Sequence, residues 1–146
     1  MKYQIETIQD IESEIKILSQ LHYEEIKDFG IPLQLDLSTY YSHEQNNSLK
    51  IFTARASTSN RLVGYASFFL FNNHHYDNQL EANQDAIFVH PEFRGVGRQF
   101  IDFIDIHLKE FGVKIVYHHV KTNLDWSPAL LSHGYKHIEN IFAKIL

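Results

Sequence analysis

The spacing of apolar residues changes along the chain and predicts its elements. Tyr3-Gln4-Ile5-Glu6-Thr7-Ile8 alternates like a half-buried strand. Asp10 offers an N-cap. Ile11, Ile15, Leu18 and Leu21, with Ile17 and Ile26 beside them, then recur at helical spacing, and the pattern fades at Asp28-Phe29-Gly30-Ile31-Pro32. A shorter helix is predicted around residues 35–43, and residues 44–48 are a polar break. Residues 49–56 and 62–71 read as strands. The turn residues 57–61 between them predict an antiparallel hairpin. Residues 72–83 read as a polar loop of twelve residues carrying His74, His75 and Tyr76. Connections of that length are uncommon in compact domains and are often functional.

The organising stretch follows. Asp85 opens a strand-like run, Ala86-Ile87-Phe88-Val89, which His90-Pro91-Glu92-Phe93 breaks. Arg94-Gly95-Val96-Gly97-Arg98 is a short glycine-bearing loop with two cations. An amphipathic helix then starts near Gln99, with Phe100, Ile101, Ile104 and Leu108 on one face and Phe103 and Ile106 beside it, and stops at Gly112. Residues 113–120 are strand-like, residues 126–133 form a short helix, and a last strand-like segment runs from Gly134-Tyr135 to Leu146. The order is β-α-α-β-β-β-α-β-α-β. This is an α/β fold (α+β, mixed sheet) in which hairpins give way to parallel strands where helices cross over. With no repeat, low-complexity segment or linker, residues 1–146 are expected to form one domain.

Composition narrows the functional classes. A hydrophobic content of 44% and an aromatic content of 14% fit a well-packed globular chain. A net charge of −5 without a basic run argues against nucleic-acid binding by charge. The absence of cysteine excludes disulfide and thiolate chemistry and fits a reducing cytosol. No apolar run approaches membrane-spanning length and Met1–Asp10 has no signal core, so a cytoplasmic protein without a membrane partner is expected. The adjacent pairs His74-His75 and His118-His119, and His22 three residues before Glu25, have no standard ligand spacing, so no metal is expected.

A glycine loop that feeds a helix presents unpaired N–H groups at the positive end of the helix dipole, which is an anion site. A phosphate-binding P-loop is excluded because no Gly-Lys-Ser/Thr follows. The dinucleotide fingerprint is excluded because Phe100 stands where its third glycine belongs. Instead, Val89-His90-Pro91-Glu92-Phe93-Arg94-Gly95-Val96-Gly97 resembles motif A of the GNAT superfamily of N-acyltransferases: a strand ending Val-x-Pro-x-x-Arg, a Gly-rich loop and a helix. The element order over nearly the whole chain is similar to that fold. Asn123 after the fifth strand and Gly134-Tyr135 resemble later motifs. Residues 116–121 and 143–146 are similar to a short subgroup in phages and bacteria. The chain departs from the pattern at Gln99, where Gly or Ala is usual. The phase of Phe100-Ile101 fits a second register, in which residues 95–98 form a shortened loop.

The resemblance implies that acetyl-CoA donates an acetyl group to a free amine. Arg94, Gly95, Val96, Gly97, Arg98 and Gln99 would hold the pyrophosphate. The backbone of Phe88 and Val89 would take the pantetheine arm and polarise the thioester, and Asn123 would bond the arm. Lys121 is a solvated lysine or a further phosphate contact. Asp85 lies two residues beyond the level best known for a catalytic Glu, which is Asn83 here. It is the expected base, with a solvated carboxylate as the alternative. By period two, Asp85, Ile87 and Val89 would share a face. The family's usual acid, a tyrosine, is replaced by Leu130, leaving His118, His119, Tyr117 or water. The adjacent histidines must face opposite sides of their strand. The loop around His74, His75 and Tyr76 is expected to wall the acceptor. The acceptor itself stays open among polyamines, aminoglycosides, amino acids and protein amines. The negative net charge favours a cation. A non-catalytic CoA-binding or interaction module on the same fold is the alternative function. A homodimer, common among similar proteins, is neither required nor excluded.

Overall fold

The computed structural model describes residues 1–146. Its elements are β1 (Lys2–Ile5), α1 (Ile8–Ile26), α2 (Leu37–Gln45), β2 (Leu49–Arg55), β3 (Leu62–Asn73), β4 (Gln79–Val89), α3 (Gly97–Glu110), β5 (Ile115–Tyr117) and α4 (Ser127–Ser132). The five strands form one mixed sheet in the order β1-β2-β3-β4-β5. Neighbours are antiparallel except β4 and β5, which run parallel.

Each face of the sheet has its own apolar core. On one face, α1 lays Ile8, Ile11, Ile15 and Leu18 against Leu49, Ile51, Tyr65 and Phe88. On the other, Phe100, Ile104 and Leu108 of α3 cover Phe52, Ala66, Phe68 and Ala82. α1 begins one turn earlier than Asp10 suggests. Thr7 is the N-cap, and Asp10 closes a capping box by accepting from the Thr7 backbone N–H at 2.9 Å. Its inner stripe continues through His22 rather than Leu21, because His22 keeps the helical period while Leu21 is 41% exposed. Arg55, buried in β2, pairs with Glu6 and Glu14 at 2.8 Å and ties α1 to the sheet edge.

Two expected elements are corrected. The twelve-residue loop 72–83 does not exist: β3 runs to Asn73 and β4 starts at Gln79, leaving a tight turn between them. Glu81 disguised the strand. Its carboxylate is 0% exposed, accepts from Asn73 Nδ2 (3.0 Å) and Gln79 Nε2 (2.6 Å), and is bonded by Tyr117. The final strand is also absent, since residues 136–146 adopt neither helix nor strand and expose Ile138, Ile141, Phe142 and Leu146. Adjacent apolar pairs, Ile141-Phe142 and Ile145-Leu146, break the two-residue period that a half-buried strand needs. β5 is likewise shorter than expected, so the sheet ends on a three-residue edge.

Candidate functional site

β4 positions the whole site. Its register against β3 shifts between Ser67 and Phe68: Ser67 faces Ala86 and Phe68 faces Gln84, so Asp85 is an extra residue in a β-bulge. The bulge reverses the expected facing. Ile87 and Val89 pack on the α3 side, whereas Asp85 turns to the α1–α2 side. There Tyr40 of α2 and Ser67 of β3 both donate to Asp85 Oδ2 at 2.7 Å, and Oδ1 has no partner. Burial and the neighbouring carboxylate push the Tyr40 phenol well above its usual pKa, so it stays protonated and donates. Tyr65 lies beside this group. Its hydroxyl bonds His22 Nδ1 at 2.8 Å, and the His22 ring stacks on Phe88 at 5.0 Å. Burial holds His22 down at about 4, so it is neutral near pH 7.

The outer edge of β4 is only partly used. β5 pairs with Glu81, Ala82 and Asn83 and then stops. Downstream, His90 N–H donates to Val63 O at 2.8 Å, which makes Gly64–Val89 a non-hydrogen-bonded pair and Tyr65–Phe88 a bonded one. Both backbone groups of Phe88 therefore point into the sheet, and Phe88 O lies 3.0 Å from where a Cβ on Gly64 would sit. This corrects the expectation for Phe88. Ile87 and Val89 are the residues whose backbone faces outward, and Arg94 Nε takes Val89 O at 3.3 Å.

Beyond Val89 a short 3₁₀ turn, Pro91–Phe93, leads to Gly95. Gly95 has φ +103° and is the glycine whose backbone requires its lack of a side chain, whereas Gly97 simply begins α3. The N–H groups of Gly95, Val96, Gly97, Arg98 and Gln99 find no acceptor in the protein, and the next, Phe100, donates to Val96 O at 3.1 Å. A Cβ on Gly95 or Gly97 would meet nothing within 4 Å, so this row of donors is open to approach. A helix start with five free N–H groups and no side-chain cap can hold a diphosphate.

The charged residues divide unevenly around this row. Arg94 Nη2 holds both oxygens of Glu25, at 2.6 Å and 2.5 Å, near the end of α1. Lys121 is ion-paired to Asp28, and Asn123 Nδ2 donates to Glu25 O at 3.3 Å. Glu25 in the last turn of α1 thus holds Arg94 and Asn123, and Asp28 just beyond the helix holds Lys121. Arg98 is exposed, and its guanidinium has no hydrogen bond or ion pair.

His118 and His119 face opposite ways. His118 is enclosed by Phe68, Trp126 and Tyr135 on the α3 side. Gln84 Nε2 donates to His119 O, which turns Gln84 Oε1 toward His118 and makes its Nδ1–H the donor at 2.6 Å. His118 Nε2 is buried without a partner, and burial lowers the imidazole to about 4. His119 is exposed on the Asp85 side and bonds Asn83 Oδ1 at 2.7 Å. Tyr117 is committed to Glu81. The turn with His74, His75 and Tyr76 lies at the far end of β4, about 20 Å along the strand from Asp85, so it does not wall this site. No three His, Asp or Glu side chains converge as a metal-binding group. Tyr40, which bonds Asp85, was not singled out by the sequence pattern, and Glu25, weighed there only for its metal spacing with His22, instead holds Arg94.

One parallel strand pair thus stops short beside a helix start rich in free N–H groups, an arrangement suited to an extended anionic ligand. The model of the acetyltransferase (GNAT) family matches residues 13–135, and the chain belongs to that family. Solved structures agree in fold. A ribosomal-protein-alanine N-acetyltransferase from Brucella melitensis is similar at TM-score 0.77 and 18% identity, covering 99% of this chain and 96% of that one. A predicted acetyltransferase from Clostridium acetobutylicum, solved with acetyl-CoA, is similar at TM-score 0.73 and 14% identity, covering 99% and 95%. Glucosamine-6-phosphate N-acetyltransferase from Arabidopsis thaliana is similar at TM-score 0.70 and 15% identity, covering 99% of both chains. No curated protein sequence matches the chain. No helix is long and apolar enough to cross a membrane.

Proposed function

We propose that this acetyltransferase is an N-acetyltransferase that moves the acetyl group of acetyl-CoA onto a primary amine. The observation that carries the reading is the row of free N–H groups from Gly95 to Gln99, set directly after a strand edge that ends beside a bulged carboxylate. The row and the uncommitted Arg98 take the pyrophosphate. The pantetheine arm lies along the outward backbone of Ile87 and Val89, and the Val89 N–H polarises the thioester carbonyl. Arg94 and Asn123 act indirectly, by fixing the loops on either side through α1.

Asp85 Oδ1 accepts a proton from the amine, while Tyr40 and Ser67 hold the carboxylate in place. The nitrogen attacks the carbonyl carbon, a C–N bond forms and the C–S bond breaks. The sum is one ammonium and one acetyl-CoA giving one amide, one CoA thiol and one proton. His119 protonates the departing thiolate, because His118 is enclosed and neutral and Tyr117 is bonded to Glu81. Residues 1–146 act as one domain.

Thiol release from acetyl-CoA in the presence of a panel of amines tests this reading. Amine-dependent release is expected. Saturable CoA binding with no release for any amine would leave the non-catalytic CoA-binding module standing instead.

A further inference from the structure

Beside Asp85 lies a cavity of about 50 Å³ between the sheet and the two helices α1 and α2. Its floor is aliphatic: Ile8, Ile11 and Ile15 from α1 and Ile51 from β2. Leu35 and Leu37 form its rim, with Tyr40 and Ser67 turned toward the carboxylate. Asp85 is the one charged residue in the lining. The segment leading to this rim continues the theme, because Phe29, Ile31 and Leu33 are all exposed apolar residues between α1 and α2. The exposed apolar residues Phe29, Ile31 and Leu33 thus lead along the chain to an apolar chamber whose one charged lining residue, Asp85, is exposed.

From this we infer that the acceptor is a small aliphatic monoamine, with its ammonium at Asp85 Oδ1 and its alkyl tail in the isoleucine-lined chamber. The inference rests on the acetyl-transfer reading above and adds the substrate class. The lining decides among amines by what it lacks. A polyamine would place a second ammonium among isoleucines, where nothing pairs it, and an unpaired buried charge is strongly disfavoured. An amino acid would bring a carboxylate next to Asp85 with no cation in the lining to receive it. An aminoglycoside would bury many hydroxyl groups against a lining whose own four hydroxyls, on Ser19, Tyr40, Tyr65 and Ser67, are already engaged with other groups. The volume sets the size: one water needs roughly 10–15 Å³ on this measure, so the chamber takes about four water-sized groups, the bulk of the isobutyl end that isoamylamine carries one methylene from its nitrogen. The net charge of −5 draws any cation toward the protein but does not choose among them.

The test compares isoamylamine, spermidine and leucine as acceptors at fixed acetyl-CoA, with calorimetric titration of isoamylamine run in parallel. Isoamylamine is expected to show a kcat/KM at least tenfold above the other two. The variant Ala86→Leu narrows the chamber, so it should raise KM for isoamylamine about tenfold more than it raises KM for ethylamine. Preference for spermidine or leucine overturns the substrate class while leaving acetyl transfer intact. Saturable isoamylamine binding without turnover of any amine keeps the class and removes the transfer chemistry. Absence of both binding and turnover with isoamylamine overturns the inference.

Discussion

The two halves of the site are built from different materials. The donor row from Gly95 to Gln99 is backbone, formed by consecutive residues and by the way one helix begins. The half around Asp85, to which the proposal gives the acid–base steps, is side chain. Asp85 is held by Ser67, 18 positions away, and by Tyr40, 45 positions away, and His119 reaches Asn83 across 36. A backbone cradle depends on local conformation and tolerates changes in the side chains around it. A side-chain constellation exists only once the strands and α2 have packed. On the proposed reading the first half binds CoA and the second carries the proton transfers, so mutations should separate them.

The largest separation comes from Asp85→Asn, which keeps the shape and the bonds from Tyr40 and Ser67 but removes the proton acceptor. Turnover should fall on the order of 100-fold or more, with CoA affinity unchanged by calorimetry. Equal losses in turnover and CoA affinity would mean the two halves are one. Next is Gly95→Val. A branched side chain at φ +103° is strained, and relief by moving the loop misplaces the donors, so CoA affinity should weaken about tenfold while amine KM holds. The two arginines give a finer contrast. Arg98→Ala should weaken CoA binding roughly three- to tenfold and flatten its salt dependence, because this guanidinium is free to meet phosphate. Arg94→Ala should change CoA affinity less and lower the melting temperature, because its partner is Glu25. Similar losses in CoA affinity for both would erase the distinction between a ligand contact and a loop anchor.

The smallest effect on activity near neutrality, and a distinct one on stability, comes from pH. His22 and His118 are held at about 4 in the folded protein against 6.5 in the unfolded chain. Between those values the unfolded state binds more protons. Stability is therefore full above about pH 6.5 and falls as the pH drops toward 4, by up to roughly 2 kcal/mol per histidine at pH 5. Thermal melts of the wild type and of His118→Phe between pH 7 and pH 5 check this, and the variant should lose less stability over that interval. Both histidines brace the side-chain half, one under Phe88 and the other under Gln84, so acid should loosen that half first.

What could be read from the sequence follows the same division. The donor row was legible because strand, breaker, glycines and helix are contiguous from Val89 to Phe100, and the buried face of α3 matched its spacing. The bulge was not legible. Period two puts Asp85 with Ile87 and Val89, and only the pairing with β3 reveals the extra residue. Gln79 to Asn83 looked like loop because Glu81, fully buried, obtains its partners from Asn73, Gln79 and Tyr117. Tyr40 was hidden for the same reason: nothing in α2 alone says that its hydroxyl meets a carboxylate on β4. The absent final strand was overread from apolar content whose adjacent pairs have no strand period.

The central claim is that CoA sits on the Gly95–Gln99 backbone with its arm beside Ile87 and Val89. Amide chemical shifts during titration with acetyl-CoA test it most directly. The account predicts saturable shifts that are largest at Gly95, Val96, Gly97, Arg98 and Gln99 and appreciable at Ile87 and Val89. Saturating acetyl-CoA that leaves those amides unmoved, or that moves chiefly the hollow around Asp105, Lys109 and Tyr135, would contradict it.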